Sequence, residues 1–152
     1  MDKVVIDGIA GLQALVGKDL GASSWRQMRF EDIVKFAEVT GDHQWIHVDK
    51  ERAKAGPFGA PIAHGYFTLS LVAGLFFEMI DARGFKAVLN YGLGKVRFPM
   101  PLREGKNYRL ALKLADLKEV SGGVDATFNA NVEVEGEQKP TCAAELIFRF
   151  IA

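Results

Sequence analysis

At 152 residues, 49% apolar and 25% charged, the chain has the length and balance of one globular domain spanning 1–152. Its 19 Lys plus Arg match its 19 Asp plus Glu. That neutrality argues against nucleic acid or an anionic membrane as the main partner, since both want a basic excess. One cysteine, Cys142, excludes an internal disulfide and a cysteine-cluster metal site, and an unpaired thiol fits a reducing compartment such as the cytoplasm.

The start, Met1 to Asp7, carries no signal-peptide apolar core. From Ile6 to Val16 apolar residues recur at helical spacing, with Gly17 as a stop, and a short strand is expected around Ser23 to Met28. Phe30, Ile33, Val34 and Ala37 mark a helix with Glu31 and Asp32 in its first turn and Gly41 suited to its C-terminal cap. The segment from Asp42 to His64 reads as a loop with a short helix near Lys50 to Ala55. A second helix runs from Gly65 to about Ile80, apolar on nearly every side through Phe77, and should lie inside something. The stretch from Ala55 to Phe77 carries no Asp, Glu, Lys or Arg. Pro57, Pro61, Gly56, Gly59 and Gly65 break its first half, and the remainder is too short to cross a bilayer.

The second half alternates. Asn90 to Phe98, Tyr108 to Leu114, Val124 to Val134 and Leu146 to Phe150 read as half-buried strands, divided by Ser121-Gly122-Gly123 and Glu135-Gly136-Glu137. A long antiparallel sheet needs a cover for its dry face, and the apolar helix is the natural one. The expected fold is α+β, a sheet wrapped around a buried central helix in the hot-dog manner.

All three histidines, His43, His47 and His64, fall in the loop before that helix, with Asp42 and Asp49. Three readings stand open. The polar groups can satisfy the backbone or each other. His43 and His47 have the i, i+4 spacing of metal ligands, but that spacing helps only on a helix, and Gly41, Trp45 and Ile46 argue against one there. Third, Asp42 and His47 can share a water and move its proton. The third reading gains from Ala63-His64-Gly65 just before an apolar helix. A helix N-terminus offers unpaired N–H groups, and a glycine lets a carbonyl oxygen approach closely. Such an oxyanion donor is worth about 3 kcal/mol.

At these residues the chain resembles a known family. Thr40-Gly41-Asp42-His43-Gln44-Trp45-Ile46-His47-Val48-Asp49, then Gly56-Pro57-Phe58-Gly59 and Ile62-Ala63-His64-Gly65, are similar to the hydratase motif of MaoC-like, (R)-specific enoyl-CoA hydratases. Asn90 to Pro99 resembles the strand those proteins place after the central helix. The likeness extends to the nodulation protein N group. It departs in the residues between Asp42 and His47, where family members often carry Asn-Pro and this chain has His43-Gln44-Trp45-Ile46.

The resemblance implies a homodimer acting on an acyl-CoA thioester, hydrating a trans-2-enoyl-CoA to an (R)-3-hydroxyacyl-CoA, with no separate cofactor and no metal. By residue, it implies Asp42 and His47 as the catalytic pair, Gly65 as the backbone donor to the thioester carbonyl, and Ser70 as a supporting serine on the helix. Lys95, Arg97 and Arg103 are candidates for the CoA phosphates, with a solvated strand face as the alternative. His64 is expected to brace the turn that presents Gly65. Rival functions are a hot-dog thioesterase, which usually carries a carboxylate in the central helix, and a non-catalytic acyl-CoA binding protein.

Overall fold

The computed structural model describes residues 2–152. Strand β1 (Val4–Asp7) leads into helix α1 (Gly8–Leu15), strands β2 (Asp19–Ala22) and β3 (Arg26–Gln27), and helix α2 (Phe30–Thr40). Two short helices follow, α3 (Trp45–Val48) and α4 (Lys50–Lys54), then the long helix α5 (Gly65–Met79). The rest is strand: β4 (Ile80–Arg83), β5 (Ala87–Arg97), β6 (Asn107–Val120), β7 (Gly123–Val134) and β8 (Cys142–Ile151).

The main sheet has the order β2-β6-β7-β8-β5, with β3 also paired to β6, and every pairing in it is antiparallel. Period-2 alternation decides its faces. Along β7 the even-numbered residues Val124, Ala126, Phe128, Ala130, Val132 and Val134 are buried, and in β8 Cys142, Ala144, Leu146, Phe148 and Phe150 join them. Helix α5 lies on this dry face. Its Val72, Leu75, Phe76 and Met79 are buried, and the Phe76 ring meets Phe128 and Phe148 edge-on at 4.9 and 4.6 Å. This is the expected hot-dog arrangement.

Several local expectations are corrected. The N-terminal apolar run divides into β1 and α1, because the β-branched Val4, Val5 and Ile6 pair in parallel with Ile80, Asp81 and Ala82 of β4 and bury Ile6 completely. Of the strand expected over Ser23 to Met28 only Arg26 and Gln27 are strand, as β3, and β2 lies before it. Between them Ser23 uses its hydroxyl as well as its backbone, accepting from Leu110 N–H at 2.9 Å and donating its own N–H to Leu110 C=O at 2.8 Å. Helix α5 is not enclosed on every side, since Tyr66 is 75% exposed and Phe77 42%. Among the described residues no helix is long and apolar enough to cross a membrane.

Candidate active site

Helix α2 ends where Gly41 takes φ +80°, the left-handed conformation that closes a helix at little cost for glycine, and its N–H returns to Ala37 C=O at 2.8 Å. The turn throws Asp42 out beside the start of α5. The Asp42 carboxylate accepts from Gln44 N–H at 3.3 Å, and its carbonyl accepts from His64 Nε2–H at 2.9 Å. The loop is thus pinned to the residue that precedes α5.

The expected loop over 45–48 is instead a single helical turn, α3, and His47 rides on it. Trp45 opens that turn with its ring beneath the Arg52 guanidinium at 4.3 Å, so the bulky residue between Asp42 and His47 locks α3 to α4. The register matters chemically. His47 Nδ1–H donates to Ile62 C=O at 2.7 Å, since a carbonyl only accepts. That fixes the neutral tautomer with a bare Nε2. His47 is 6% exposed, and burial pushes its pKa down, with the Ile62 carbonyl opposing and His64 adding to the shift. Its ring lies against His64, centroids 3.8 Å apart and planes 23° from parallel.

Asp42, His47 and His64 each place one ligand-capable atom within 4.8 Å of the others. Two groups at that separation can share one water, given hydrogen bonds of about 2.8 Å. The same three could be offered to a cation, and His43, exposed, is not among them. Stacked imidazoles, however, send their in-plane lone pairs side by side, whereas a metal ion needs them converging on one point.

Gly65 opens α5, and the Phe98 ring sits 3.2 Å from where a β-carbon would be. Beside this contact lies a cavity of about 260 Å³ lined by His47, Gly65 and Thr68 together with Phe58, Ile62, Phe98, Met100, Leu102 and Thr141. Thr68 is a site residue that sequence reasoning missed: it is 1% exposed and one helical turn from Gly65, a position that helical spacing alone could have flagged. Ser70, the expected serine, is exposed, donates to Tyr66 C=O at 2.7 Å and does not line the cavity.

The cationic candidates separate. Val96 pairs with buried Ala144 and so faces in, which turns Lys95 and Arg97 outward. They border a depression with Asn129, Asn131 and Glu145 on the wet face of the sheet, apart from the residues that line the His47 cavity. Arg103 stays on the site's side. Its backbone bridges to Ile62, and its Nε is buried without a partner among the described residues.

A hot-dog sheet and helix with an Asp-x₄-His pair facing a glycine helix start define a MaoC-like site, and residues 12–136 match the MaoC like domain. The chain belongs to that family. It is 47% identical over 147 residues to 3-hydroxyacyl-thioester dehydratase Z of Mycobacterium tuberculosis, covering 96% of this chain and 97% of the relative. It is 39% identical over 142 residues to nodulation protein N of Rhizobium meliloti, covering 91% and 88%. Among solved structures, the (R)-hydratase from A. caviae superposes with a TM-score of 0.71 at 20% identity, covering 88% of this chain and 94% of that one.

Proposed function

We propose that the protein is a hydro-lyase that interconverts a trans-2-enoyl-CoA and an (R)-3-hydroxyacyl-CoA. The observation that carries this reading is the bare, neutral Nε2 of His47, held beside Asp42 in the same cavity as the N–H end of α5.

In the hydration direction the thioester carbonyl accepts from Gly65 N–H at the positive end of α5. Electron density leaves C3, which becomes electrophilic. One water donates to His47 Nε2 and to the Asp42 carboxylate. As its oxygen bonds to C3, the proton passes to His47 and the alkene electrons move to the thioester oxygen as an enolate. His47 then returns the proton to C2 and regains its starting tautomer. Water is added in full, Asp42 ends as it began, and the reaction needs no cofactor or metal. Delivery of oxygen and proton from one side of the alkene makes the addition syn; the (R) outcome follows the family resemblance.

Arg103 is the proposed contact for the CoA phosphates, its backbone bridged to the cavity-lining Ile62. A homodimer joined along β5 is the proposed assembly. A cytoplasmic setting suits the buried, unpaired Cys142, whose thiol burial pushes up to about 11. A thioesterase reading finds no support in α5, where the one carboxylate, Glu78, lies in the last turn and pairs with Arg26.

The test is crotonyl-CoA with purified protein. Enoyl absorbance should fall without release of free thiol, and an (S)-specific 3-hydroxyacyl-CoA dehydrogenase added to the product should form no NADH. Thiol release in step with the absorbance change would identify a thioesterase instead.

A further inference from the structure

Resting on the proposed reaction, the shape of the cavity sets which acyl chains the site takes. Hydrogen bonds lay three segments side by side across it. His47 Nδ1–H donates to Ile62 C=O, Ala63 N–H to Leu102 C=O at 2.8 Å, and the Thr141 hydroxyl to Met100 C=O at 2.7 Å. The catalytic loop is therefore at one side and the start of β8 at the other, with the 98–102 segment between. Thr141 is 3% exposed and its hydroxyl is already bonded, so it stands as a buried part of the cavity wall at that side.

The space is small. Its volume of about 260 Å³ falls below the roughly 300–1,000 Å³ of sites that enclose drug-sized ligands. A reactive water takes about 30 Å³ of it. The carbonyl must also reach Gly65 and the reacting carbon must reach the water, so the acyl tail has only what remains. Phe58 and Met100 border that remainder as flexible or planar side chains, whereas Ile62 and Leu102 are held by the backbone bonds just named.

We infer that the site is specific for short-chain 2-enoyl thioesters, with Met100 and Phe58 as the side chains that set the length limit. A long tail would have to leave the cavity or displace them.

The experiment compares kcat/KM for crotonyl-, trans-2-octenoyl- and trans-2-dodecenoyl-CoA. Crotonyl should exceed dodecenoyl by at least about tenfold, the scale on which an apolar pocket discriminates chain size. Met100→Ala should raise the dodecenoyl-to-crotonyl ratio by a similar factor, and Phe58→Ala provides the same reading should the first variant misfold. In parallel, calorimetry with butyryl- and lauroyl-CoA reads the cavity without turnover. A buried methylene strengthens binding by about fourfold, so a cavity that stops short predicts nearly equal affinities. Dodecenoyl turned over as well as crotonyl, or lauroyl-CoA bound tighter by a large factor, overturns the length limit and leaves the hydration reading intact. No turnover of any thioester, with the flat affinity series, removes the reaction and leaves the limit standing.

Discussion

His47 and His64 stack face to face at 3.8 Å, and each spends one ring nitrogen on a backbone carbonyl, Ile62 for the first and Asp42 for the second. Two imidazoles so placed cannot both be protonated cheaply, and burial already disfavours the charged form of His47. The proposed base, His47, must be neutral to work. We therefore expect kcat/KM to be level above the ordinary imidazole value of 6.5 and to fall only as pH drops through a lower one. The stability consequence has the same sign. The unfolded chain binds that proton more readily, so this contribution is present above 6.5 and lost as pH falls through the folded value. An acid limb centred above 6.5 in a pH–rate profile would contradict the assignment.

Asp42→Asn and His47→Ala should each lower hydration by about 10²- to 10⁴-fold, the usual contribution of a positioned acid–base group. Asp42 is exposed and α3 is a single turn, so thermal unfolding should remain cooperative in both. Near-normal rates in both variants would remove the site. His64→Ala is expected to act differently, by freeing the Asp42 loop, and should raise KM as well as lower kcat.

Metal removal should leave the rate unchanged. Stacked rings do not converge on a cation, and the enolate is assigned to a backbone N–H. Activity lost on dialysis against EDTA and restored by zinc would instead make Asp42, His47 and His64 ligands.

The long strands and the central helix were legible in the sequence because their apolar periodicity repeats over many residues, as from Val124 to Val134. Asp42, His47 and Gly65 were singled out by motif spacing, and the cavity places His47 and Gly65 in one lining. What stayed hidden was set by tertiary contacts. Strand β1 exists because β4 lies beside it, and α3 exists because Trp45 is clamped by Arg52. Thr68 rather than Ser70 reaches the cavity because the two differ by about 200° around a helix of 3.6 residues per turn. Lys95 and Arg97 lie on the solvated strand face held as the alternative: Val96 between them pairs with Ala144 after a register shift in β5 between Leu93 and Val96.

The active form should be a dimer or larger. Strand β5 is a terminal strand of the main sheet, bonded within the chain to β8 alone, and such an edge is normally paired or covered. Its side chains are unusually apolar for an edge: Leu89, Tyr91 and Leu93 are 48%, 58% and 42% exposed. Phe98 follows directly and meets the exposed Tyr66 ring edge-on, centroids 6.5 Å apart, so exposed apolar groups run along β5 to the start of α5. A twofold copy that pairs β5 with itself would extend the sheet and cover them at once. Light scattering of the wild type should give the mass of two chains. Leu89→Asp combined with Leu93→Asp should shift the protein to a monomer while circular dichroism keeps its strand signal, because neither residue belongs to the buried core. A wild type that runs as a fully active monomer at assay concentration would rule out this edge as an obligatory interface.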